Sequence, residues 1–261
     1  MITDHLDFSG RVAIVTGGAT GIGYATALQL ARLGASVVIC SRTADELEAA
    51  AARVAKASGN TCLAVPTDVK SEDACIALVE RTMAEFGRID VLVNNAGGTR
   101  MGPLESIPTR GWDSIFDLNT KSAYILTREA GRHMIAQGRG AIVNISSGAG
   151  VNGVKGGAHY SAAKAALQMF TRVTAAEWGR FGIRANCVAA GAIASERVSE
   201  AWKVAGLKEE EMGAAMPLGR LGTPDDMANM IVFFCSDASS YISGETISVC
   251  GGPNLGGIEL D

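Results

Sequence analysis

Aromatic residues make up only 5% of this 261-residue chain, and proline occurs six times. The three histidines, His5, His133 and His159, stand in no H-E-x-x-H pattern and beside no cysteine pair. The six cysteines form no C-x-x-C, so neither a zinc site nor a disulfide framework is expected. They read instead as reduced, core-filling thiols of a cytoplasmic protein. No uninterrupted apolar run approaches the ~18 residues of a membrane span, and the acidic stretch Met1–Asp7 has no apolar core that would predict a signal peptide. Net charge is −4, without a block of like charge, which offers no basic face to nucleic acid or an anionic membrane.

Glycine is abundant: 32 of 261 residues, about 12%, against a usual ~7%. Without a Gly-X-Y period, this points to tight turns and close backbone approaches to a ligand. Short apolar runs at 11–16, 36–40, 62–65, 89–93, 141–145, 183–188 and 246–249 read as strands buried on both faces. Helical patterns lie between them, at 23–34, 44–58, 71–87 and from Thr223 onward. In 71–87, Ser71 is placed to cap the start and Gly87 to end it. This β-α alternation predicts an α/β fold: one domain over residues 1–261, a doubly wound parallel sheet of about seven strands with helices on both faces. The least regular stretch, about 190–222, follows a strand and is expected to be a substrate lid, with an ordinary surface insertion as the alternative.

Directly after the first strand comes Thr16-Gly17-Gly18-Ala19-Thr20-Gly21-Ile22-Gly23, running into a helix. Such a loop lets backbone N–H groups and a helix N-terminus approach a pyrophosphate. A second glycine run, Gly148–Gly153, meets the literal G-x-G-x-x-G pattern but lacks a periodic helix behind it, and is read as a flexible loop. NAD proteins usually end the second strand with an acidic residue that binds the ribose diol. Here that strand ends in Ser41-Arg42, a hydroxyl and a guanidinium suited to gripping a 2′-phosphate, so NADP (NADPH) is expected over NAD.

Tyr160-Ser161-Ala162-Ala163-Lys164 opens a further helical pattern, with the phenol and ammonium at i, i+4 on one face. An ammonium ~4 Å from the phenol, at an effective dielectric of ~20, favours phenolate by roughly 4 kcal/mol, or up to about three pKa units. That predicts a Tyr160 pKa drawn toward neutrality, suited to acid/base work.

The glycine loop, Asn94-Asn95-Ala96-Gly97, Asn119 ahead of Lys121, Ser147 thirteen residues before Tyr160, and Tyr160-x-x-x-Lys164 together resemble the short-chain dehydrogenase/reductase family, over about Ser9 to Gly252. The resemblance implies a Rossmann fold and these roles. Tyr160 is general acid in reduction and base in oxidation, Lys164 lowers its pKa and holds the nicotinamide ribose, Ser147 hydrogen-bonds the substrate oxygen, and Asn119 anchors a water linking Lys164 to solvent. Ser147 is preferred to its neighbour Ser146 on spacing alone. Cofactor contacts would come from Gly17, Thr20, Gly21, Ile22, Gly23, Ser41, Arg42, Asp68, Val69, Asn95, Ala96, Gly97, Gly191, Ile193 and Ser195, with Tyr160 and Lys164. Asn94 reads as a structural strand-end residue. The family's usual Pro-Gly after the sixth strand is Ala190-Gly191 here, and losing the fixed φ of proline is expected to loosen the segment and weaken cofactor binding.

The implied reaction is NADP(H)-dependent reduction of a ketone or aldehyde, or oxidation of the secondary alcohol. Enoyl- or dienoyl-CoA reduction is the alternative, with Arg100, Lys155 and Arg197 as candidate contacts for CoA phosphates. A non-catalytic NADP-binding regulator is a minor one that the intact Tyr/Lys pair disfavours. His159 abuts Tyr160; a surface position is its default reading, a pocket wall the other. The resemblance also implies a homotetramer or dimer pairing the 105–135 and 158–180 helices, with the tail Gly251–Gly257 reaching a neighbouring subunit or the cleft.

Overall fold

The computed structural model describes residues 2–252. Seven parallel strands form one sheet: β1 (Val12–Thr16), β2 (Ser36–Ser41), β3 (Cys62–Pro66), β4 (Val91–Asn94), β5 (Gly140–Ser147), β6 (Ile183–Ala190) and β7 (Thr246–Val249). Their spatial order is β3-β2-β1-β4-β5-β6-β7. The chain reverses its direction of winding between β1 and β4, which leaves a crevice at their carboxyl ends. Pairing there is in register from Ala13↔Val91 to Val15↔Val93, so both strands end side by side.

Strand residues alternate between two cores because successive side chains face opposite ways. Ala13 and Val15 pack with Leu30, Leu47 and Ile231 on one face, whereas Ile14 packs with Leu78, Leu126 and Met134 on the other. The first face carries α1 (Gly21–Arg32), α2 (Ala44–Ser58) and α10 (Pro224–Cys235); the second carries α3 (Glu72–Phe86), α5 (Ser122–Gln137) and α7 (Ala158–Trp178). The expected signals for α3 are in place: the Ser71 hydroxyl accepts from the Ala74 N–H, and Gly87 ends the helix at φ 70°. Helix α10 opens with a full capping box between Thr223 and Asp226, Pro224 taking the first turn.

Two stretches differ from expectation. Gly148–Gly153 contains a single helical turn, α6 (Ala149–Asn152), in place of the expected flexible loop. It packs onto α7 so closely that a Cβ at Gly150 would lie 2.7 Å from the carbonyl carbon of Lys164. The 190–222 excursion carries two short helices, α8 (Glu196–Val204) and α9 (Glu209–Ala214). A bridge between Ile193 and Gly222 closes its base, where a Cβ at Gly222 would meet the Ile193 side chain at 2.5 Å. Between β4 and α5, α4 (Thr109–Phe116) runs through a π-helical turn at Asp117–Lys121. Of the Gly251–Gly257 tail, residues from 253 onward lie outside the described residues.

Candidate active site

At the carboxyl ends of β1 and β4, backbone geometry dictates the glycines. Gly17 and Gly21 hold φ of 64° and 56°, and a Cβ at Gly23 would lie 2.2 Å from the Gly17 carbonyl oxygen. Only glycine permits that turn. Asn95 and Thr16 lock it in place. The Asn95 side-chain amide donates to the carbonyls of Thr16 (2.8 Å) and Gly17 (3.3 Å), while the Thr16 hydroxyl accepts from the N–H groups of Asn95 and Ala96 at 2.9 and 2.8 Å. Asn95 thus shapes the loop from behind. Thr16, which the sequence reading passed over, is its buried counterpart, signalled only by its place at the end of β1.

A cleft of ≈ 390 Å³ opens above this loop, and the expected residues Gly17, Thr20, Ser41, Arg42, Asp68, Val69, Ala96 and Gly97 all line it. Three features fit a dinucleotide. The N-cap hydroxyl of α1, Thr20, makes no capping hydrogen bond, leaving the helix N-terminus open to an anion. The Ser41 hydroxyl is buried without a partner, and Arg42 stands exposed beside it. Val69 is held by the turn around Asp68, whose carboxylate accepts from the Lys70 N–H at 3.1 Å.

Other expected contacts lie outside this cleft. Ile22 and Gly23 belong to the body of α1. Gly191 packs against the opposite backbone, where a Cβ would fall 2.5 Å from Cys250 Cα, and Ile193 is buried. Ser195 reaches over the loop: a Cβ on Gly21 would sit 3.2 Å from Ser195 Cβ, so α8 begins directly above the glycine turn. Arg197, on the first turn of α8, lines the cleft as well.

Beyond Gly97 the cleft meets the second cluster. A Cβ at Gly97 would lie 2.7 Å from Asn119 Oδ1 and 3.1 Å from Lys164 Nζ. Asn119, on the π-helical turn, is buried and donates to the carbonyls of Gly98 (2.8 Å) and Ile115 (2.9 Å). Two asparagines on neighbouring strands are committed to structure: Asn94 donates to Asn144 Oδ1 at 2.8 Å and Asn144 to Thr171 Oγ1 at 2.9 Å.

The last turn of β5 resolves the paired serines. The Ser146 hydroxyl donates to the Lys164 carbonyl at 3.0 Å and accepts from Gln168 at 2.9 Å, so it is spent on holding α7. Ser147 faces the other way. Its hydroxyl accepts from the Ala149 N–H at 3.2 Å and lies near enough to the Tyr160 hydroxyl to favour its phenolate form. Lys164 is buried, donates to the Ile145 carbonyl at 2.7 Å, and stands 5.7 Å from the centroid of the Tyr160 ring.

This geometry corrects the electrostatic expectation. Burial raises the Tyr160 pKa above the ordinary phenol value, with the Ser147 hydrogen bond opposing it. The ammonium is aimed at a carbonyl on β5 and is itself desolvated, which brings Lys164 down to about 8. His159 departs from its default reading too: it is 4% exposed, and it lines a second cavity.

The family model described as Enoyl-(Acyl carrier protein) reductase matches residues 17–254. Among curated relatives, cis-4-hydroxycyclohexanecarboxylate dehydrogenase of Sinomonas cyclohexanicum is 41% identical over 251 residues, covering 94% of this chain and 97% of that one. The (2S)-[(R)-hydroxy(phenyl)methyl]succinyl-CoA dehydrogenase subunit BbsD of Thauera aromatica is 38% identical, covering 96% and 99%. Among solved structures, a 7α-hydroxysteroid dehydrogenase complexed with NADH and 7-oxo glycochenodeoxycholic acid superposes with a TM-score of 0.90 at 33% identity, covering 96% of each chain. With this sheet order, this glycine turn and these relatives, the chain belongs to the short-chain dehydrogenase/reductase family, oxidoreductases that act on CH–OH and C=O groups with a nicotinamide dinucleotide.

Proposed function

We propose that the protein is an NADP(H)-dependent oxidoreductase that interconverts a ketone or aldehyde and the corresponding alcohol. The observation that carries this reading is the approach of the Ser147 hydroxyl to the Tyr160 phenol, beside a buried Lys164 whose Nζ lies next to Gly97 at the end of the cleft. The dinucleotide, when bound, supplies the hydride. The chain supplies the rest. Ser147 orients a carbonyl oxygen toward Tyr160, and Tyr160 donates its proton to that oxygen in reduction. Positioned transfer of this kind is worth roughly 10²–10⁴-fold. Lys164 presents a positive charge to the ribose and to the proton path, and Asn119 holds the π-helical turn through which a water can reach it. Gly191, Ile193 and Ser195 frame the nicotinamide end, with α8 and α9 as the lid.

The preference for NADP rests on Ser41 and Arg42: an unpartnered buried hydroxyl next to an exposed guanidinium suits a 2′-phosphate and offers the ribose diol no carboxylate. Exposed Tyr124, Met169 and Val173 on α5 and α7 give an apolar face suited to a dimer or tetramer. Six unpaired cysteines suit a reducing, cytosolic setting, and no described helix is long and apolar enough to cross a membrane.

Reduction of a conjugated C=C bond in an acyl thioester is the second reading, favoured by the description of the matching family model. A panel of ketones, hydroxysteroids, hydroxyacyl thioesters and enoyl thioesters, read by NADP(H) absorbance, separates the two. Turnover of ketones or secondary alcohols is the expected result. Turnover confined to enoyl thioesters would transfer the protein to the second reading, and a silent panel would contradict both.

A further inference from the structure

Alongside the dinucleotide cleft lies a cavity of ≈ 820 Å³, bounded by the segment after β4, by α4 and by the start of α7. The volume is that of a site for a whole organic ligand rather than for a single ion. Three cations line it, Lys70, Arg100 and Arg110, and none has an ion-pair partner among the described residues. Two carboxylates line it as well. Asp117 is matched by Lys121 at 3.4 Å, which leaves Asp113 against three positive charges.

The decisive feature is His159. It lines the cavity, it is 4% exposed, and its Nδ1 is buried with no hydrogen-bond partner. Buried polar atoms are almost always satisfied, and one that is not marks a place where something else completes the bond. An imidazole with two guanidiniums and an ammonium is a donor set for an anion, and arginines favour the oxygen geometry of a phosphate. Lys70 and Arg100 also line the dinucleotide cleft, so the two spaces adjoin, but Arg110 and His159 line only this one.

We propose that this cavity binds the phosphate ester of a second ligand while the dinucleotide occupies its own cleft. Two kinds of molecule carry such a group: a thioester substrate on a phosphopantetheine or coenzyme A carrier, and a free nucleotide acting as an effector. The inference goes beyond the proposed reaction and is read by binding, so its failure and the failure of that reading are distinguishable.

The test is calorimetric titration of adenosine 3′,5′-bisphosphate and of 4′-phosphopantetheine into protein saturated with NADPH. Saturable binding of at least one is expected, weakened about tenfold or more by Arg110→Glu, which reverses a charge on an exposed side chain. His159→Gln, which removes the ring, is expected to weaken it too, while NADPH affinity stays at the parent value in both variants. Inhibition of thioester turnover alone identifies a carrier subsite, whereas altered turnover of a small phosphate-free ketone identifies an effector site. The proposal is overturned if neither compound binds, if excess NADPH displaces them, or if Arg110→Glu binds them as the parent does. Should the parent fail to bind NADPH, the dinucleotide reading falls, and the same titrations without it still decide this cavity.

Discussion

The Ser41-Arg42 pair shows what a single position can decide. A carboxylate at the end of β2 would repel a 2′-phosphate; a guanidinium attracts one. Arg42→Ala is expected to cut NADPH affinity by about tenfold or more and leave NADH nearly unchanged, since one charge-assisted contact contributes roughly 1.5–3 kcal/mol. Dissociation constants for both dinucleotides check this, and an unaltered ratio would contradict it. Lys164 illustrates the opposite tension. Its ammonium is held in a desolvated place, which brings its pKa from 10.5 to about 8. Below pH 8 the folded protein therefore carries a buried charge at a cost, and that cost fades as pH rises from about 8 toward 10.5. Lys164→Met should abolish turnover yet raise stability at pH 7 by about 1–3 kcal/mol, net of the lost bond to Ile145. Denaturant unfolding at pH 7 and again above pH 10 is the check: the gain must shrink. A variant less stable than the parent at pH 7 would overturn this account of Lys164. The direction of the Tyr160 shift was illegible in sequence for a related reason. Spacing placed the ammonium on the same face as the phenol, but only folding revealed that Nζ is turned to the Ile145 carbonyl and that burial raises the phenol.

Elements were read best where one residue type has one physical use. Ser71 and Gly87 bound α3 as their capping chemistry requires, and Thr223-Pro224-Asp225-Asp226 opens α10. There Asp226 accepts from the Thr223 N–H at 2.7 Å and pairs with Arg220, which holds its carboxyl well below the usual carboxylate range. Thr223→Ala should cost about 1 kcal/mol, measured as a lower denaturant midpoint at unchanged slope. An unmoved midpoint would mean the cap is not stabilising. Acidification should weaken the same corner, because a carboxyl with a depressed pKa loses its stabilising contribution as it protonates. Reading failed where a short element depends on distant partners. The single turn α6 exists because Gly150 lets it lie on α7, a contact made across 14 residues, from Gly150 to Lys164, and no local periodicity records it. Helices α8 and α9 are short and bury no apolar side chain fully, so they contribute little to the core from which the longer helices were read.

At the scale of the molecule, the site exists because a parallel sheet brings the ends of non-adjacent segments together. The glycine turn follows β1, Asn95 follows β4, Ser147 ends β5 and Tyr160 stands on α7, and it is the strand order that gathers them at one edge. The inner strands were legible because they are apolar on both faces; the second cavity was not, because its cations come from three separate loops and helices whose convergence only the fold shows. The apolar face on α5 and α7 predicts assembly: light scattering should give the mass of a dimer or tetramer, and a monomeric mass would contradict it. The central claim is proton donation by Tyr160 within a site that binds the dinucleotide through other residues. Tyr160→Phe keeps the ring and removes only the hydroxyl, so NADPH binding and turnover should come apart. The measurement is NADPH affinity by fluorescence beside the turnover of a ketone that the parent reduces. The account predicts near-parental affinity with turnover lowered by about 10²–10⁴-fold; turnover within a few-fold of the parent would contradict it.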